Sequence, residues 1–223
     1  MRSLDIASHV LAQHHPLVVL NKPYDWPTTG RSLDDDDCVQ YHLIQHFGQM
    51  VWAVHQLDAD TSGVCLFSLD KQLVTDLQAI WNTPGMSKQY CCIVKGEPNW
   101  ERIDETSPIG KVDERSLGVT PDGKSAHTRF QVLDRNNGYA LLQAKLFTGR
   151  THQIRIHLSH LGYPLLGEEW YSNPPCTLHP RQALHATRIQ FPDTAPLEKK
   201  EFRAPIAQDL QNLLQRLKLA QPM

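Results

Sequence analysis

Six short apolar runs, at residues 17–20, 64–69, 89–94, 128–133, 140–147 and 184–191, limit what this chain can fold into more than any other feature. Each has the length of a strand, and the run at 64–69 is almost wholly apolar, which suits a central strand. Helical periodicity covers fewer segments. Residues 39–47 read as a helix stopped by Gly48, and Asp70 is placed to cap a helix in which Leu73, Leu77 and Ile80 share a face. From residue 151 to 161 the pattern turns helical, with Ile154, Leu158 and Leu161 on one side and Gly162 as terminator. Residues 206–217 read as a terminal amphipathic helix. Strands outnumber helices and do not strictly alternate with them. The expected fold is therefore α/β of the α+β type, a mixed and largely antiparallel sheet with flanking helices. The acidic run 34–37 reads as a solvated loop that also caps the next helix, and 108–123 as an exposed loop. With no evident linker, residues 1–223 are expected to form one domain.

Composition excludes several classes. No apolar run approaches the ~18 residues a membrane span needs, and residues 1–16 lack the pattern of a signal peptide. The five cysteines, Cys38, Cys65, Cys91, Cys92 and Cys176, are scattered and odd in number, which fits reduced thiols and a cytoplasmic location. A net charge of −2 argues mildly against a nucleic-acid partner. Its distribution argues the other way. No acid occurs between Asp134 and Glu168, a stretch that carries Arg135, Lys145, Arg150, Arg155, His152, His157 and His160. Phosphate binding depends on the local field, not on the charge of the whole chain.

Two segments concentrate chemistry. His55-Gln56-Leu57-Asp58-Ala59-Asp60-Thr61-Ser62-Gly63 packs two carboxylates, hydroxyls and a glycine into a loop before the apolar strand. Loops held by a rigid sheet are where catalytic groups collect, although an ordinary polar turn has the same composition. Gly149-Arg150-Thr151-His152-Gln153-Ile154-Arg155-Ile156-His157 opens a helix, expected to begin near Thr151, whose first amides can face an anion. Arg155 and His152 then lie on a polar side; a solvated helix face is the competing reading.

These two blocks resemble the signatures of the RluA-type RNA pseudouridine synthases, His-Arg-Leu-Asp-x-x-Thr-Ser-Gly and Gly-Arg-Thr-His-Gln-Ile-Arg. The second is complete at residues 149–155, and Asn21-Lys22-Pro23, Lys88-Gln89-Tyr90, Gly96, Leu184-His185-Ala186 and Phe191-Pro192 follow the family order, so the resemblance spans about 17–205. It implies a mixed sheet with a central RNA-binding cleft; a single catalytic domain is expected, the chain lacking room for the separate N-terminal RNA-binding domain that some relatives carry. It also implies isomerisation of uridine to pseudouridine in ribosomal or transfer RNA, with the target uridine flipped out. Asp58 matches the catalytic aspartate, Tyr90 the tyrosine that stacks on the base, and Arg155 the arginine that pairs with the aspartate. His55, Gln56, Thr61, Arg150, His152 and Lys145 are the substrate-binding candidates. Gln56 departs from the family's usual arginine and supplies no charge. Gly167-Glu168-Glu169 departs from a commoner Gly-Asp and is expected to be structural.

No cofactor and no metal are implied, and the chain is expected to act as a monomer away from membranes. Three other readings compete. Asp58-Ala59-Asp60-Thr61 fits the Asp-x-Asp-x-Thr motif of Mg²⁺-dependent phosphatases, but there the apolar strand should precede the motif, and here it follows. His157 and His160 have the spacing of a zinc pair. A non-catalytic RNA-binding protein of the same fold is the third.

Overall fold

The computed structural model describes residues 2–114 and 116–221. In chain order the first strands are β1 (Val10–His14), β2 (Leu17–Lys22), β3 (Trp52–Ala53), β4 (Ser62–Ser68), β5 (Ser87–Lys95) and β6 (Arg102–Glu105). They are followed by β7 (Ile109–Lys111), β8 (Leu117–Val119), β9 (Thr128–Asn136), β10 (Tyr139–Leu146), β11 (Leu184–Gln190) and β12 (Glu201–Arg203). The helices are α1 (Val39–Phe47), α2 (Lys71–Ala79), α3 (Gln153–His160) and α4 (Gln208–Leu217). The chain divides into two compact units, residues 1–86 with 186–207, and residues 87–185 with 208–223.

In the first unit the strands run in the order β1-β2-β4-β11, with β3 on β4 and β12 on β11. β4 is buried along its whole length, as its apolar sequence requires. Leu73, Val74 and Leu77 of α2 pack with Leu17, Val19, Val64, Leu66, Phe191 and Phe202. Asp70 caps α2, its Oδ1 accepting from the Gln72 amide at 2.8 Å. The expected acidic cap of α1 is a correction. Cys38 Sγ accepts from the Tyr41 amide, while the Asp35 carboxylate takes the amides of Arg31 and Asp37 and folds its own loop. Gly48 ends α1 in the left-handed region, as expected.

In the second unit the order is β5-β10-β9-β6. β9 and β10 form a hairpin turned by Asn137 and Gly138, both at positive φ, the conformation that tight hairpins favour. α3 lays Ile154 and Leu158 on Cys92, Val94, Phe130, Leu142 and Ala144. Its start differs from expectation: His152 takes a left-handed φ of 56° and the helix begins at Gln153. α4 buries Leu210, Leu213 and Leu214 and is tied down by a bidentate Arg181–Asp209 pair at 2.7 and 3.0 Å. The segment 108–123, expected to be a loop, contains the β7–β8 hairpin; position 115 lies outside the described residues. Its strands are three residues long and carry Gly110 and Gly118, too short and glycine-rich to show a period of two.

Candidate functional site

In the first unit, the loop from His55 to Gly63 is shaped from beneath. Lys22, fully buried at the end of β2, donates through Nζ to the carbonyls of Pro23, Trp26 and Ala59 at 2.9, 2.7 and 2.9 Å. The last of these adjoins Asp58. Thr28 Oγ1 donates to the Leu57 carbonyl at 2.8 Å and accepts from its amide at 3.0 Å. A turn closes where the Thr61 amide donates to the Asp58 carbonyl at 3.0 Å. Asp58 is thus held half-buried at the tip of a braced turn. Beyond it, Gly63 has a φ of +112°, and a Cβ there would lie 2.2 Å from the Ala186 carbonyl oxygen. Only glycine fits that approach.

The other candidates on this loop take up different positions. His55 turns inward, stacked on Trp81 at 4.6 Å, and its Nε2 accepts from the Leu66 amide at 3.2 Å. Thr61 is buried. Gln56 is exposed and donates to Thr29 Oγ1 at 3.2 Å. His55 and Thr61 therefore shape the loop, while Gln56 faces solvent.

In the second unit, Arg155 departs from the solvated helix face that its sequence allowed. Its side chain is 3% exposed and pairs with the fully buried Glu168, Nε to Oε2 at 2.7 Å and Nη2 to Oε1 at 2.9 Å. Glu168 Oε1 also accepts from the amides of Trp170 and Tyr171 at 3.0 and 3.2 Å. The guanidinium lies 5.0 and 5.2 Å from the Trp170 and Tyr171 ring centres. Burial pushes the Glu168 carboxyl up, but the Arg155 bonds, the Arg155 charge and the two amides outweigh it and hold the group below the usual carboxylate range. Arg155 is thereby held by a two-bond, planar pair with Glu168. His152 bonds through Nδ1 to the Tyr171 hydroxyl at 2.6 Å, so His152 and Arg155 share one aromatic neighbour.

Arg150 is exposed, with Nε donating to the Ser125 carbonyl at 2.9 Å. Lys145 places Nζ 5.2 Å from the Phe147 ring centre. Tyr90 lies on β5 opposite Ala144 and packs on the Cys92–Val94 core. Two residues earlier on the same strand face, burial pushes the Lys88 amine down to about 8. Sequence patterns gave no sign of this buried amine, nor of the Arg155 partnership of Glu168, nor of Trp170, which is 71% exposed beside the guanidinium.

His157 is not arranged as a zinc ligand. Its Nε2 donates to the Ser107 carbonyl at 3.0 Å and its Nδ1 accepts from Thr128 Oγ1 at 2.9 Å, so both ring nitrogens are used. Burial lowers its pKa, against the opposing pull of the Ser107 carbonyl and Glu105. Among the described residues, no three His, Cys, Asp or Glu side chains cluster as metal ligands, and no helix is long and apolar enough to cross a membrane. The five cysteines are buried and form no disulfide; burial pushes the Cys65 and Cys91 thiols up to about 12.

Residues 16–160 match the family model described as RNA pseudouridylate synthase, a match that includes residues of both units. An uncharacterized RNA pseudouridine synthase of Chloroflexus aurantiacus is 40% identical over 74% of this chain and 52% of its own length. The ribosomal large subunit pseudouridine synthase C of Vibrio cholerae is 31% identical over 92% of this chain and 67% of its own. A solved structure, human RNA pseudouridylate synthase domain containing 4, superposes with a TM-score of 0.80 at 24% identity, covering 98% of this chain and 96% of that one, and shares the fold. The chain belongs to the RNA pseudouridylate synthase family. It spans about half the length of the first curated relatives it matches.

Proposed function

We propose that this protein is an RNA pseudouridine synthase in which Asp58 is the catalytic carboxylate. The observation that carries the reading is the braced turn that presents Asp58 within the family-matched segment, anchored by Lys22 and Thr28. In the reaction, the N1–C1′ bond of uridine breaks, the base turns, and C5 bonds to C1′. The C5 proton leaves and N1 takes one up, so the product is an isomer and no group donor is consumed. A carboxylate serves this chemistry by attacking a carbon or by removing a sugar proton.

Arg155, fixed by Glu168, is assigned as the counter-charge of Asp58 in this reading. Tyr90 stacks on the base. A uridine in a stacked helix must flip out to react, which costs a few kcal/mol, and stacking on Tyr90 returns roughly 1–3 kcal/mol. Arg150 and Lys145 contact phosphates, and His152 and Gln56 line the substrate path. His55 and Thr61 act on the substrate only through the loop they shape. The Vibrio cholerae relative is named for the large ribosomal subunit, so ribosomal RNA is the first substrate to try, and transfer RNA the second. The reading takes both units as one catalytic domain working as a cytoplasmic monomer without metal or cofactor.

The test is single-turnover pseudouridine formation on ribosomal and transfer RNA transcripts, with RNA affinity measured in parallel. Asp58→Asn is expected to abolish product and leave affinity within a few-fold. Equal collapse of both would make Asp58 structural. Binding by the wild type without product on any transcript would favour the non-catalytic RNA-binding reading.

A further inference from the structure

At the end of one face of the second unit's sheet lies a partly exposed cluster that fold stability does not call for. Register places Arg129 of β9 directly opposite Lys145 of β10, and like charges in that position cost stability. The facing carboxylate in that row, Asp104 of β6, is already engaged. It takes Arg129 through Nε at 3.0 Å and Nη2 at 3.1 Å, and His127 Nε2 at 2.7 Å. Next to them, the His127 ring lies flat on Phe147 at 4.2 Å and 15°. Arg129 and Lys145 approach the same phenyl ring at 5.3 and 5.2 Å. All four side chains are partly open to solvent.

The cluster is also rigid. The Phe147 amide donates to the His127 carbonyl at 3.1 Å, and the His127 amide to Thr148 Oγ1 at 2.9 Å. Buried Gln153 then locks the adjoining loop. Its Nε2 donates to the His127 carbonyl at 3.0 Å, while its Oε1 accepts from Thr148 Oγ1 at 2.8 Å and from the Arg150 amide at 3.0 Å. Arg150 therefore emerges from a loop fastened to the strand that bears His127. Rigid placement of cations around a flat aromatic ledge lowers the ordering cost of binding a partner with repeating negative charge and planar groups. Single-stranded RNA has both. An acidic peptide would use the cations and leave the ledge idle.

We propose that His127, Arg129, Lys145, Phe147 and Arg150 form an RNA-strand contact separate from the residues assigned to chemistry. In it the cations hold the backbone and the His127–Phe147 ledge takes a base. This rests on the pseudouridine synthase reading and adds His127, Arg129 and Phe147 to it.

The test uses the full chain and a short single-stranded RNA made only of A and C. With no uridine present, binding is scored independently of isomerisation. Lys145→Gln with Arg129→Gln is expected to lower the slope of log affinity against log salt by roughly 1.4, about 0.7 per lost phosphate contact on a single strand. Phe147→Leu, which keeps most of the apolar volume, is expected to weaken binding roughly 5- to 150-fold with the slope unchanged. Lys145→Gln alone leaves the Asp104 bonds intact and should lower the slope by about half as much, which covers a double variant that fails to fold. An unchanged slope in the charge variants, or wild-type affinity in Phe147→Leu, overturns the proposal. So does a poly-glutamate peptide that binds as tightly as the RNA. Loss of product on uridine-containing RNA with this binding intact would instead count against the reading of Asp58.

Discussion

Replacing Glu168 tests whether Arg155 is positioned by a buried ion pair. The carboxylate is fully buried, makes two charge-assisted bonds to Arg155 and accepts two backbone amides. Removing one partner of such a pair strands the other charge in a dry site, which typically costs about 3–5 kcal/mol. Against a total stability of about 5–15 kcal/mol that is a large fraction. Glu168→Ala should therefore lose about 3–5 kcal/mol, and Glu168→Gln less, because its carbonyl still accepts one bond. The pH dependence supplies an independent check. Folding holds the Glu168 carboxyl below its usual range, so the unfolded chain binds the proton more readily. Its contribution is fully present above the ordinary glutamate range and is lost as pH falls through the folded value. The wild-type advantage over Glu168→Gln should shrink over that acidic window. Urea unfolding followed by both tryptophan fluorescence and circular dichroism would measure it, two probes being needed because a chain of two compact units need not unfold in one step. A loss under about 1 kcal/mol for Glu168→Ala, or equal acid sensitivity in Glu168→Gln, would refute the reasoning.

Wild-type stability should rise relative to Lys88→Met as pH goes from about 8 towards 10.5, because the folded chain holds the Lys88 amine near 8 while the unfolded chain titrates at the ordinary lysine value. Parallel pH profiles of the two proteins in thermal melts over that window would contradict this. Thr128→Val removes the hydroxyl shared by His157 Nδ1 and Gln153 Nε2 and should cost about 1–3 kcal/mol in chemical denaturation; a neutral effect would mean water replaces it. Gly63→Ala should lose roughly 3 kcal/mol or more, because the Ala186 backbone cannot withdraw as a flexible side chain could, and an unchanged melting temperature would rule out the close approach.

Much of the fold was legible because its signals are local. The apolar run at 64–69 became β4, Asp70 caps α2, and Gly48 ends α1. What could not be read depends on partners distant in sequence or on weak local chemistry. The α1 cap is a thiol, which offers less than a carboxylate, yet the neighbouring Asp35 carboxylate is spent on its own loop. The β7–β8 hairpin is too short to show a period. Asp58 and Arg155 were singled out through resemblance to a family, but the contacts that hold them could not be read. Lys22 reaches the Ala59 carbonyl across 37 positions, and Glu168 reaches Arg155 across 13. Neither separation leaves a pattern in a single sequence. Arg155 illustrates the ambiguity: an arginine in a helix's first turn looks solvated until the loop carrying Glu168, Trp170 and Tyr171 closes over it.

The most direct test of the account is pseudouridine mapping of total RNA from cells with and without the gene, by carbodiimide marking and sequencing, with purified wild-type and Asp58→Asn protein added back to the deficient RNA. The account requires at least one site that disappears with the gene and returns with the wild type but not with Asp58→Asn. A site restored equally by Asp58→Asn, or no site changed in any RNA, would contradict it.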